Sequence, residues 1–210
     1  GESIRPQWCR YGQWQLLRTA VQHGRAIVKT NVFDCGDKKV GYLAYTSFTF
    51  ESCLGLYDVC KEFKKQGVTE LILDLRYNGG GYVFTEEALA SMLAPEAEVK
   101  AKSVFETEIW NDDYMAYFQE EGTDLNTYFR TDFKATHNEK EYNFNTTDAI
   151  IGLNKIYALV SGSSASASEA VLVGLLPYMD IEIIGQQTHG KYTTGIMWKG
   201  EEWYQVSVSV

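Results

Sequence analysis

Ile156-Tyr157-Ala158-Leu159-Val160-Ser161-Gly162-Ser163-Ser164-Ala165-Ser166-Ala167-Ser168-Glu169-Ala170 is the stretch on which the reading of this chain turns. Its first five residues are apolar and β-favouring, as in a buried strand, and Gly162, Ser163 and Ser164 follow as a turn. From Ala165 to Leu176 small and apolar residues recur at helical spacing, which puts Ser166 at or near the first turn of a helix. A helix start leaves N–H groups unpaired and carries the positive end of the peptide dipole, so a negative oxygen that develops there is stabilised. A second apolar strand, Ile181 to Gly185, leads on to Thr188-His189-Gly190-Lys191. Strand, helix and parallel strand return the chain to one edge of a sheet, so Ser166 and Lys191 can meet at the strand ends.

Serine alone is a poor nucleophile and needs a base. The three histidines, His23, His137 and His189, form no recognisable Ser-His-Asp arrangement. Lysine replaces histidine where burial lowers its pKa from the ordinary value of about 10.4 toward neutrality, and Lys191 is the candidate. Singly, each signal has a plainer reading: small residues suit any tight helix start, a glycine run is most often a turn, and a lone lysine is usually solvated. What favours chemistry is their order, each lying where a strand meets a loop or a helix.

Ser164-Ala165-Ser166-Ala167-Ser168-Glu169, with Gly190-Lys191 after it and Leu73-Asp74-Leu75-Arg76-Tyr77-Asn78-Gly79-Gly80-Gly81 before it, resembles the C-terminal processing protease family, which includes the tail-specific proteases and the tricorn core. The resemblance covers roughly residues 38 to 199. It implies an α/β fold of the crotonase and caseinolytic-protease type, a core of repeated strand-strand-helix units. It also implies a serine endopeptidase that acts on polypeptides without metal or cofactor, in C-terminal processing or tail-specific cleavage. By the same resemblance Ser166 is the nucleophile and Lys191 its base. The oxyanion donors are then the backbone N–H of Ala167 and that of Gly79 or Gly80. Some relatives carry a glutamine four residues after the lysine, where this chain has Gly195, and others an aspartate eleven residues after the serine, where it has Pro177. The third member of the constellation is therefore open. Gln186, Gln187, Thr193 and Thr194 are nearby polar candidates whose ordinary role is loop hydrogen bonding. Two rivals share the scaffold: a non-catalytic ligand- or peptide-binding protein, like the retinoid-carrying relatives, and an acyl-CoA hydrolase or isomerase of the crotonase type. The presence of both dyad residues favours the peptidase.

With 210 residues and 45% hydrophobic composition, the chain can bury a full core. Its net charge of −9 argues against nucleic acid or an anionic membrane surface as partner, since either would add repulsion. No apolar run approaches the roughly 18 residues of a membrane span, and no basic-then-apolar leader opens the chain. The sequence reads as a piece of a longer protein, and the resemblance suggests export to the periplasm or envelope of a bacterium. Cys9, Cys35, Cys53 and Cys60 lack metal-type spacing. Cys53 and Cys60 stand about 10.5 Å apart along a predicted helix, too far to bridge, and read as core residues. Cys9 and Cys35 could pair in an oxidising compartment.

Residues 1–37 read either as the linker or tail of a preceding PDZ-like module or as an extra strand or two on the catalytic domain, which spans 38–210. Val40–Phe48 reads as a strand. Ser52–Gln66 reads as a helix, with Cys53, Leu56, Cys60 and Phe63 on one face, and Glu70–Leu75 as a strand covered on both faces. Asp74 and Arg76 read as structural support beside the glycine turn rather than as catalytic groups, the aspartate accepting backbone N–H bonds and the arginine pairing with a carboxylate. A helix over Phe84–Leu93 has Glu86 and Glu87 near its start, where carboxylates complement the dipole, and Pro95 ends it. Residues 107–148 hold ten acidic and three basic residues, net −7, and nine aromatics. So aromatic a stretch is not disordered, and it reads as a partly helical cap that shapes the substrate groove, or as a surface elaboration packed on the core. Gly195–Trp198 and Glu202–Val210 read as a hairpin.

Overall fold

The nearly continuous apolar run beginning at Glu70 requires cover on both faces, and it forms the central strand of the main sheet. The structure, a computed structural model, describes residues 25–191, 193, 195–199 and 204–208. Its main sheet contains β1 (Ile27–Asp34), β2 (Lys39–Tyr45), β3 (Glu70–Asp74), β8 (Lys155–Val160) and β9 (Asp180–Gly185), in the order β1-β2-β3-β8-β9. β2, β3, β8 and β9 run parallel, and β1 is antiparallel to β2. Residues 27–34, open between a module tail and an added strand, are thus an edge strand of this sheet.

Helices supply the parallel crossovers. α1 (Ser52–Gln66) joins β2 to β3 and buries Cys53, Leu56, Cys60 and Phe63. It stops at Gly67, whose φ of 75° lets its N–H reach back to the Lys64 carbonyl. α2 (Val83–Leu93) follows the glycine turn, and α5 (Ala167–Leu175) joins β8 to β9. α2 packs on both α1 and α5. Pro95, expected only to stop a helix, caps the start of another, α3 (Glu96–Ala101), because its fixed φ suits a helix entrance. The core joins Leu43, Leu71, Leu73 and Ile156 of the sheet to Leu56, Leu89, Leu93 and Val171 of the helices.

Residues 104–145 form β4 (Val104–Thr107), α4 (Asp112–Glu121), β5 (Asn126–Tyr128) and the hairpin β6 (Asp132–His137) and β7 (Lys140–Asn145). β4 pairs with β5, while Phe105 and the Tyr178 hydroxyl, which donates to the Val104 carbonyl at 2.5 Å, seat β4 against α5 and its C-terminal turn. Phe129 and Phe133 are fully buried, so part of the insertion is core, whereas α4 buries none of its residues. Cys9 and His23 lie outside the described residues. β10 (Gly195–Lys199) and β11 (Tyr204–Val208) form the expected antiparallel hairpin.

Candidate active site

β3 ends in a tight turn held from inside by Asn78, which is fully buried. Its side-chain N–H donates to the Tyr45 carbonyl at 3.1 Å, and its side-chain oxygen accepts the Gly80 N–H at 2.9 Å. The Asn78 carbonyl reaches across to the serine-rich loop, accepting Ala165 N–H at 3.1 Å and the Ser168 hydroxyl at 2.9 Å. The Ser164 hydroxyl donates to the Leu75 carbonyl at 2.8 Å and accepts the Ser161 N–H at 3.0 Å. Ser161 Oγ donates to the Arg76 carbonyl. Ser161, Ser164 and Ser168 therefore serve as fasteners between the segments that follow β3 and β8.

Ser166 is the N-cap of α5, with φ 56° and ψ −122°. An L residue seldom adopts such a conformation, at a cost of about 1–3 kcal/mol, and it persists only where its surroundings over-determine it. One determinant is Gly80: a Cβ there would lie 2.7 Å from Ser166 Cβ and 3.0 Å from the Ala167 N–H nitrogen. The glycine turn and the start of α5 are in contact, and no side chain fits between them.

The other determinant is Glu169, a residue quoted in the motif but given no role by sequence reasoning. Glu169 Oε2 accepts the N–H of Ser166 at 2.9 Å and the N–H of Lys191 at 2.9 Å. Its Oε1 accepts the N–H of Gly190 at 2.6 Å, and the Thr188 side chain adds a further hydrogen bond. Burial would raise this carboxyl, but the Thr188 hydroxyl and the amides of Gly190, Ser166 and Lys191 outweigh it and hold it below the usual carboxylate range. One oxygen atom thus gathers the main chains of Ser166 and Lys191. The signal was present, since a serine followed three residues later by glutamate has the spacing of a capping box.

Ala167 is buried at the first position of α5, and among the described residues its N–H donates to no protein acceptor. The same holds for the amides of Gly79 and Gly81, whereas that of Gly80 is already given to Asn78. Of the two turn amides expected as oxyanion donors, Gly79 is the one left free. Lys191 itself is exposed, so the burial expected to neutralise its amine is not supplied by the described residues. Gln186 makes a backbone bond to the Val160 carbonyl at 3.3 Å, as a loop residue would, and Thr194 lies outside the described residues. His189 donates its main-chain N–H to the Ser164 carbonyl at 2.9 Å. His137 stacks on Phe50 at the tip of the β6–β7 hairpin.

Asp74 and Arg76 pair with each other, and the Arg76 main-chain N–H also donates to Asp74 Oδ1 at 3.3 Å. Arg76 Nε and a terminal nitrogen reach the two Asp74 oxygens at 2.9 and 2.7 Å, and the Tyr42 hydroxyl donates to the same carboxylate at 2.8 Å. The bond to Asp74 raises the Arg76 pKa despite its partial burial. Asp74→Ala will remove the acceptor of the half-buried Tyr42 hydroxyl and the carboxylate bonded to Arg76. The expected loss is about 1–3 kcal/mol, read as a lower urea midpoint.

No group of three or more His, Cys, Asp or Glu among the described residues is placed to hold a metal. No helix among them is long and apolar enough to cross a membrane.

Comparison with known proteins places this arrangement. The solved structure of a Bacteroides fragilis NCTC 9343 protein described as an S41 protease shares the fold, with TM-score 0.68 and 24% identity over 89% of this chain and 45% of that one. A photosystem II D1 C-terminal processing protease matches with TM-score 0.51 and 22% identity, over 82% of this chain and 36% of that one. The chain thus spans less than half the length of either structure. No curated protein matches it. The profile of peptidase family S41 matches residues 39–197, which include the glycine turn, Ser166, Glu169 and Lys191, and the chain belongs to that family.

Proposed function

We propose that this chain is the catalytic part of a serine endopeptidase in which Ser166 is the nucleophile and Lys191 the general base. The observation that carries the reading is the Glu169 carboxylate, one oxygen of which accepts the main-chain N–H of both residues beside the glycine turn. Neutral Lys191 takes the Ser166 hydroxyl proton as Oγ attacks the peptide carbonyl carbon. The resulting oxyanion is held by the N–H of Ala167 and of a turn residue, Gly79 by preference because Gly80 is engaged. Collapse breaks the C–N bond, the departing amine takes the proton from Lys191, and water then hydrolyses the acyl-enzyme by the same proton route. Exclusion of water favours the neutral amine, and because Lys191 is exposed that exclusion falls to the bound polypeptide. Cleavage of C-terminal tails and export from a bacterial cell rest on the family resemblance alone.

A fluorophosphonate probe and casein cleavage test the reading together. The parent chain, in its full length, is expected to be labelled at Ser166 and to cleave casein. Ser166→Ala and Lys191→Ala should lose both, while His189→Ala, whose loop bond is made by the main chain, should lose neither. Labelling of another residue, or cleavage that survives Lys191→Ala and fails in His189→Ala, would reassign the site. A chain that binds peptide but takes no label is a binding protein on this scaffold.

A further inference from the structure

The acidic insertion carries a helix with well-formed ends and no cover. At the start of α4 the Asn111 side chain accepts the Tyr114 N–H at 3.0 Å, and at its end Gly122, with φ 65°, turns its N–H back to the Gln119 carbonyl. Yet the helix buries none of its residues. At 10 residues it is shorter than the ~12–15 at which isolated helices are still marginal in water, so its stability must come from packing. That packing is internal and incomplete. Trp110, Tyr114 and Phe118 touch one another, with ring centroids 5.4 to 6.1 Å apart. Tyr117, by contrast, stays 54% exposed and Ile109, just before the helix, 73%. Apolar groups left bare together on one element mark an interaction surface.

The charge of the helix is equally unmatched. No lysine or arginine stands between Lys102 and Arg130. Asp112 and Asp113 lie in the first turn, where carboxylates complement the helix dipole, but Glu120 and Glu121 close the last turn, where they oppose it. Among the described residues none of these four forms an ion pair. Asp113 and Tyr117 stand one helical turn apart, Tyr114 between them in sequence, and these three residues line a pocket. Two phenol rings and a carboxylate together are the chemistry that holds a lysine or arginine side chain.

We propose that α4 is the docking site for a basic segment of a partner polypeptide, whose cationic side chain enters the pocket of Asp113, Tyr114 and Tyr117 while its apolar side chains cover the groups left bare. Such a segment supplies both things the helix lacks, apolar cover and positive charge near the last turn. A second copy of α4 would set acid against acid, and the same carboxylates repel nucleic acid and an anionic bilayer. Nothing in this recognition calls on Ser166 or Lys191.

The test is the fluorescence anisotropy of a short fluorescein-labelled peptide of alternating arginine and leucine, titrated with the full chain carrying Ser166→Ala so that binding is read apart from any cleavage. The peptide should bind with an affinity that falls as salt rises, and its counterpart with glutamate for arginine should not bind. Adding Tyr117→Ala should weaken binding about 2- to 30-fold, whereas Tyr117→Phe, which keeps the π face, should bind as before. Asp113→Asn should weaken binding and lessen its salt dependence. Both side chains are exposed, so the urea midpoint should hardly move. Equal affinity with and without Tyr117→Ala and Asp113→Asn places the peptide elsewhere and overturns the proposal. So does absence of binding, binding of the glutamate peptide, or, in sedimentation equilibrium, self-association of the chain that Tyr117→Ala abolishes.

Discussion

Glu169→Gln in a chain that cleaves casein will lower kcat by about 10- to 10,000-fold while the protein remains folded. The carboxylate accepts main-chain N–H bonds from Ser166, Gly190 and Lys191 on its two oxygens, at 2.6 to 2.9 Å. Glutamine replaces one of those acceptors by a donor and removes the charge, so one or two charge-assisted bonds are lost, each worth about 1.5–3 kcal/mol. At about 1.4 kcal/mol per tenfold, the loss falls on kcat because the bonds set where Ser166 and Lys191 stand relative to each other. A merely structural role would lower stability and leave kcat per folded molecule intact, so kcat and KM are measured beside the urea midpoint. The pH dependence is a second discriminator. Because the Thr188 hydroxyl and three amides hold the Glu169 carboxyl below its usual range, its contribution is present above about pH 4.3 and lost as pH falls through the lowered value. The glutamine variant should lack that acid step. An unchanged kcat would remove Glu169 from the site.

Gly80→Ala is expected to cost about 3 kcal/mol or more and to abolish cleavage. Gly80 has φ +96°, where a side chain is strained whatever the space. The space is also absent: the added Cβ would sit 2.7 Å from Ser166 Cβ, 2.8 Å from the Ala165 carbonyl and 3.0 Å from the Ala167 nitrogen. Two of those three atoms are backbone, so relief requires moving the start of α5, and with it the serine and the Ala167 donor. Strain and overpacking each contribute about 1–3 kcal/mol. Gly162→Ala is the control, since its added Cβ meets only the Gln187 carbonyl at 3.9 Å, and it should leave the urea midpoint nearly unchanged. If Gly80→Ala is as stable and active as the parent, the turn and the helix start are not in the contact described here.

Much of this was legible in the sequence because it depends on local pattern. The helix over Ser52–Gln66 was set by Cys53, Leu56, Cys60 and Phe63 at helical spacing and by Gly67 after it. The parallel sheet followed from apolar runs alternating with helices. What the sequence concealed depends on contacts between distant segments. Glu86 and Glu87 are neighbours of one residue type, yet one is buried and the other paired with Arg130, 43 positions on. The acidic, aromatic insertion likewise divides, with Phe129 and Phe133 in the core and α4 entirely at the surface. Composition averages over such a division. Gly79 and Gly80 could not be told apart as donors until the Asn78 side chain was seen to take one of their amides.

The Asn78 carbonyl is bound to Ala165 and Ser168, some 90 residues further along the chain. On the proposed function, the growing polypeptide carries neither a shaped nucleophile nor a place to hold a scissile carbonyl until α5 and the Lys191 loop have emerged and docked. Such a site is completed only by closing long-range contacts, and an unfinished copy of such a peptidase would not digest its neighbours.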